Sequence, residues 1–189
     1  MYKKICVTNR TLVSDKSFED KISEVLNNFD IDILILREKD LNTEEFLKLS
    51  EKIKKICDYN ETEFYINSFY EIARKQNVKN IALPLRIAEA AGDLSDFENI
   101  IISIHDNDEI KRAENIGATA LMFGNIYETN CKPGKAGRGV EKLKEIVTLS
   151  SLPIYAIGGI NDENQESSVL QAGAKGIAKM SSYMTNTIS

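Results

Sequence analysis

Short apolar runs alternate with longer segments of helical period along the whole chain. KKICVT reads as a first strand, and SFEDKISEVLNNF follows with Phe18, Ile22, Val25, Leu26 and Phe29 at helical spacing. IDILIL is apolar without alternation, as in a parallel sheet covered on both faces. NTEEFLKLSEKIKKIC carries Asn42 and Glu45 at capping-box spacing and a stripe of Phe46, Leu49, Ile53 and Ile56. The alternation continues through TEFYI, SFYEIARKQ, KNIALP, a short helix around IAEAAG, and ENIIISI. DNDEIKRAENIG predicts a helix with Asp106 as N-cap, Glu109 at N3 and Gly117 as the stop. TALMFG, a helix around VEKLKEIV, LPIYAIGG, a helix over NDENQESSVLQAGA capped by Asn161, and KGIAKM complete the series.

Eight strands alternating with helices predict an α/β fold, a (β/α)8 TIM barrel. SSYMTNTIS is too short for a full closing helix, so the last helix is expected to be truncated. That truncation would leave apolar surface that a homodimer could cover. Residues 1–189 read as a single TIM-barrel domain, because no linker or composition shift divides them.

In this fold the active site lies at the carboxyl ends of the strands. The residues there include Thr8, Arg37, Glu38, Lys39, Asn67, Ser68, Ser103, His105, Gly124, Asn125, Gly158, Gly159, Met180, Ser181 and Ser182. Loops after strands seven and eight often form a phosphate site, which Gly158-Gly159 and Ser181-Ser182 would suit. Arg37 could clamp an anion or pair with its neighbour Glu38. His105, the only histidine, could act as an acid/base or orient a loop. The stretch FGNIYETNCKPGKAGRG brings Thr129, Lys132, Lys135 and Arg138 to one loop, a composition suited to phosphate oxygens. Cys131 beside these cations reads as packing or gating.

Charge and cysteine use narrow the partners. A net charge of −5, with 24 Lys and Arg against 29 Asp and Glu, argues against nucleic acid and acidic membranes. No run approaches a membrane span, and three scattered cysteines point to a cytoplasmic location without a disulfide framework. No metal-binding or nucleotide-binding motif is present, and strand-end carboxylates are scarce, so neither metal nor cofactor is expected.

LREKDL, YIN, SIH, FGNIYETNCKPGKAGRG, PIYAIGGI and AGAKGIAKMS together resemble the thiamine phosphate synthase/TenI superfamily across nearly the whole chain. The ET-x-CK form of the loop is similar to the TenI branch, which carries a histidine where this chain has Asn125. The resemblance implies a thiazole tautomerase-like isomerase acting on a thiazole carboxylate phosphate, with no metal. By that resemblance Gly159, Met180 and Ser181 would hold the phosphate, with Arg37, Asn67 and Ser103 nearer the ring, and Thr129 and Lys132 match the family's loop. Position at the strand ends adds Gly158 and Lys39 to the binding set, and His105 is the acid/base candidate beside Asn125 for the catalytic role. The alternatives are a thiamine phosphate synthase (thiamine-phosphate diphosphorylase) or a non-catalytic, regulatory binder of the same small phosphorylated thiazole-type ligand. A synthase joins thiazole phosphate to a pyrimidine pyrophosphate bearing Mg2+. The family's aspartates for that metal fall at Ser68 and near Pro84-Leu85 here, and its usual glutamine falls at Ile35.

Overall fold

The burial of the second strand on both faces sets the architecture. Ile33–Leu36 (β2) is four apolar residues, all buried, and such a strand needs a layer of structure on each side. Its neighbours in the sheet are Lys3–Val7 (β1) and Glu63–Asn67 (β3), both parallel to it. A computed structural model, which describes residues 2–129, 134 and 136–185, continues this pattern through Asn80–Pro84 (β4), Asn99–Ile104 (β5), Ala120–Gly124 (β6), Ile154–Ile157 (β7) and Gly176–Lys179 (β8). The strands close in chain order into a parallel barrel with a helix after each, the (β/α)8 architecture the periodicity predicts.

By contact density the chain divides into two compact units. One comprises Lys4–Ile81 with Lys179–Ser189, the other Met1–Lys3 with Ala82–Ala178. In the first unit, helix Phe18–Asn28 (α1) starts at Ser17, whose hydroxyl accepts from the Asp20 N–H at 3.1 Å. Helix Thr43–Tyr59 (α2) starts on the capping box that the spacing predicts. Asn42 Oδ1 accepts from the Glu45 N–H, and Glu45 Oε2 accepts from the Asn42 N–H, each at 3.0 Å. Helix Tyr70–Lys75 (α3) completes the β3 crossover, with Phe69 stacked on Phe46 of α2 at 4.1 Å between centroids.

The second unit contains the helices Leu85–Ala90 (α4), Asp108–Ile116 (α5), Gly139–Leu149 (α6) and Glu163–Gln171 (α7). Two caps differ from expectation. α7 is capped by Asp162, not Asn161: the Asp162 backbone is extended and its carboxylate accepts from the Gln165 N–H at 2.9 Å. α5 begins after Asn107, which makes no side-chain cap. Glu109 instead accepts from the His105 N–H, one residue before the expected Asp106. The pairing register is regular, with Ser103 opposite Met122 and Gly124 opposite Ile157.

The chain closes with Ser181–Thr185 (α8), the truncated last helix. Tyr183 meets Phe29 edge-on at 5.1 Å, and Tyr183 and Met184 are buried. This short helix therefore covers apolar surface that its truncation was expected to leave open. Among the described residues the exposed large hydrophobics are Tyr59 and Leu149, and no described helix is long and apolar enough to cross a membrane.

Candidate active site

A threonine at β1's exit ties down the end of β2. Thr8 Oγ1 accepts from the Arg37 N–H at 2.9 Å and donates its own hydrogen to Glu38 Oε1 at 2.6 Å. Glu38 Oε2 accepts from the Arg10 N–H at 2.9 Å. Burial pushes the Glu38 carboxyl up, against the opposing pull of the Thr8 and Arg10 hydrogen bonds and the Arg10 charge. Arg10 itself pairs with Asp40. Thus Glu38 does not neutralise Arg37. Among the described residues the half-exposed Arg37 guanidinium has no hydrogen bond or ion pair. Lys39 is exposed and engaged within the chain.

The register pairs Leu36 with Ile66, so Arg37 and Asn67 leave β2 and β3 at the same level. Asn67 is buried, and its Oδ1 accepts from the Ser68 hydroxyl at 2.9 Å. That bond turns the Asn67 amide so that its NH2 is directed away from Ser68. Ser68 has a φ of 65°, an uncommon conformation for serine at a strand end. In the same unit Met180 precedes α8, and its carbonyl accepts from the Tyr183 and Met184 N–H groups. Ser181 is half-buried and engaged within the chain.

In the other unit the loop after β6 is held from several sides. His105 Nδ1 lies 2.9 Å from the Gly124 carbonyl. A carbonyl only accepts, so Nδ1 carries a hydrogen and is the donor. Asn125 is buried, and its Nδ2 donates to the Tyr127 carbonyl at 3.1 Å. The Ile126 and Tyr127 N–H groups donate to Ile157 and Gly158, while Arg138 and Gly139 donate back to Asn125 and Ile126. Lys142 of α6 reaches Asp106 at 3.4 Å, and Asn107 bonds Glu145. The Ser103 hydroxyl, half-exposed on β5, has no partner among the described residues. Thr129 is half-buried and engaged within the chain. Lys132, with Cys131 and Lys135, lies outside the described residues.

Gly158 and Gly159 serve this loop directly. Both have positive φ, 102° and 71°. A Cβ on Gly158 would lie 2.6 Å from Asn125 Cβ, and one on Gly159 2.5 Å from the Glu128 carbonyl oxygen. The pair is thus required for close passage of the β6 loop over β7's exit, in addition to any phosphate approach. The sequence pattern shows a glycine pair at a strand end but not what crosses it.

Carboxylates are committed elsewhere. Glu38 is held by Thr8 and Arg10, Asp40 by Arg10. Asp106 accepts from the Asn107 N–H and meets Lys142, which together hold its carboxyl below the usual range. Among the described residues no group of three or more His, Cys, Asp or Glu converges. Among the described residues these three carboxylates are held by protein partners, so they do not fit as anchors for Mg2+.

Thr8 and Arg10 are the participants that sequence reasoning undervalued. Thr8 stands at a strand end, but its role as a bridge between Arg37 and Glu38 is a tertiary contact with no local signature. Arg10 lies in a 3-10 turn, Arg10–Leu12, that no periodicity announces.

Comparison with known proteins bears on the chemistry. A family described as thiamine monophosphate synthase matches residues 5–183. The thiamine-phosphate synthase of Clostridium acetobutylicum is 30% identical over 187 residues, covering 97% of this chain and 88% of its own. That of Methanococcus maripaludis is 30% identical over 177 residues, covering 92% and 85%. A solved thiamine phosphate pyrophosphorylase from Pyrococcus furiosus has a TM-score of 0.81 at 24% identity, covering 98% of this chain and 88% of the other. FabK from Thermotoga maritima reaches 0.72 at 11% identity, covering 99% and 60%. At those identities the two structures speak to the fold alone. The synthase names of the curated relatives correct the expectation of a TenI-type thiazole tautomerase. In physical terms, the residue at the family's histidine place is Asn125, an amide already spent on the Tyr127 carbonyl.

Proposed function

The chain belongs to the thiamine monophosphate synthase (TMP-TENI) family, and on that premise we propose that it is a thiamine-phosphate synthase. It would join a thiazole phosphate to a pyrimidine pyrophosphate, with release of pyrophosphate. The observation that carries this reading is the 30% identity to a thiamine-phosphate synthase across 97% of the chain.

Within this reading the second unit offers a phosphate the backbone N–H groups at Gly158 and Gly159, with the Ser103 hydroxyl as a neutral hydrogen-bonding group. The first unit offers Asn67 as a neutral group, and Met180 and Ser181, around the start of α8, for a phosphate. Charge builds on the departing pyrophosphate as its bond breaks, so cations aimed there lower the barrier. In the first unit Arg37 and Lys39 are the cations assigned that task; Thr129 is a hydroxyl donor of the second unit, and Lys132 lies outside the described residues. Among the described residues the Arg37 guanidinium has no ion pair, which supports its assignment, because none of those pairs need break for it to bind an anion. The Mg2+ implied by the family reaction has no fitting carboxylate set among the described residues, so no step is routed through it. His105 and Asn125 act on the β6 loop, the first through Gly124 and the second through Tyr127. No proton transfer is assigned to either.

The test is direct. Purified protein is incubated with both substrates across a range of Mg2+ concentrations, and products are separated by chromatography. Thiamine phosphate should form in excess of a protein-free control, and Arg37→Ala should lower kcat/KM by about tenfold or more. No product at any Mg2+ concentration would sink the reading.

A further inference from the structure

Four hydrogen bonds join the exits of β1 and β2. Thr8 N–H donates to the Ile35 carbonyl at 3.0 Å, Arg37 N–H to Thr8 Oγ1 at 2.9 Å, Thr8 Oγ1–H to Glu38 Oε1 at 2.6 Å, and Arg10 N–H to Glu38 Oε2 at 2.9 Å. Thr8 is fully buried and Glu38 is 2% exposed. The Thr8 hydroxyl uses its single hydrogen on the Glu38 carboxylate and one lone pair on the Arg37 N–H, so one side chain fixes both neighbours. Each Glu38 oxygen has one donor. The nearby charges are also settled: Arg10 is paired with Asp40. Both acids close to Arg37 in sequence are therefore taken, and its guanidinium has no partner among the described residues.

We propose that Thr8 and Glu38 are positioning residues for Arg37. Together they hold the turn after β2 in an arrangement that keeps the guanidinium clear of its neighbours Glu38 and Asp40 and presented to an anionic ligand. This rests on the synthase reading, in which Arg37 meets the pyrophosphate. Loss of the Thr8 hydroxyl removes the bond that fixes the Arg37 backbone and frees a Glu38 oxygen. Glu38 then becomes a competitor for the guanidinium of its own neighbour. The device thus acts on binding by preorganisation, since Arg37 pays no cost to leave an internal partner.

The test is a double-mutant cycle on the full chain, read by calorimetric titration with inorganic pyrophosphate and by steady-state kinetics. Thr8→Val keeps the volume and removes the hydroxyl. It should weaken pyrophosphate binding about tenfold, the size of one lost charge-assisted contact. Thr8→Ser, which keeps the hydroxyl, should bind like wild type. The decisive variant is Thr8→Val combined with Arg37→Ala. It should bind no more weakly than Arg37→Ala alone, because the first change acts only through the second residue. A merely structural role would lower the melting temperature and leave a loss that persists without Arg37.

Losses that multiply in the double variant would overturn the proposal. So would normal binding in Thr8→Val alongside weak binding in Arg37→Ala, and that result would leave the synthase reading intact. Normal binding in Arg37→Ala would overturn the role of Arg37 in that reading, and the proposal with it. If Thr8→Val fails to fold, Glu38→Gln takes its place in the same cycle. It retains an acceptor for Thr8 and loses the one for Arg10, and the same non-additivity is expected.

Discussion

Glu38 is a carboxylate whose burial raises its pKa, with desolvation outweighing Thr8, Arg10 and the Arg10 charge, while Asp40 adds to the rise. Its unfolded counterpart ionises near the ordinary value of about 4.3. Between that value and the raised one the folded chain holds the extra proton. Stability from this group is therefore present at low pH and falls as pH rises through the window. Glu38→Gln does not titrate there. Wild type should lose stability relative to Glu38→Gln as pH rises above about 4, read from urea midpoints at a series of pH values. A difference that is flat, or that grows with pH, contradicts the assignment. Gly159 makes a second prediction at this scale. Alanine there must take a φ of 71° and place a Cβ 2.5 Å from a backbone oxygen. Gly159→Ala should cost on the order of 2 kcal/mol by urea unfolding, and a cost near zero would mean that the β6 loop yields.

Among the elements, the start of α2 was the one fully legible helix cap of the three expected. The Asn42 and Glu45 spacing gave the α2 capping box directly, because both partners lie within one turn. Asn42→Ala should lower stability by about 1 kcal/mol in the same assay, whereas a change of a few tenths would mean that the box is redundant. The starts of α5 and α7 each lie one residue beyond the expected cap, because adjacent polar residues compete for the same donors. At α7, Asn161 and Asp162 both carry a capping side chain, and the extended backbone at Asp162 decides between them. At α5, Glu109 reaches back to His105, which lies at the strand's exit and outside the helix. The composition of the β6 loop suits phosphate oxygens, and its first residues continue the pairing with β7 through Ile157 and Gly158. That pairing depends on a partner strand roughly thirty residues away, which local pattern does not encode.

For the whole molecule, the barrel follows from strand count and parallel-sheet burial, and β2 is the clearest case because an apolar run without alternation admits few other homes. The chemistry was less legible. The ET-x-CK loop drew the sequence reading toward a tautomerase, while identity spread over the chain points to synthases. One loop is a short string open to local drift; an alignment across 97% of the chain samples every strand end. Arg37, Asn67, Gly158, Gly159 and Ser181 stand at strand exits in either reading, so they could not separate the two.

The most direct measurement is phosphorus NMR of the purified protein mixed with pyrimidine pyrophosphate and thiazole phosphate. A synthase releases inorganic pyrophosphate in step with the shift of the thiazole monoester resonance to that of thiamine phosphate, one for one. That coupled, equimolar change, absent when either substrate is withheld, is the predicted result. A spectrum unchanged from the protein-free control, or pyrophosphate released without the monoester shift, would contradict the account.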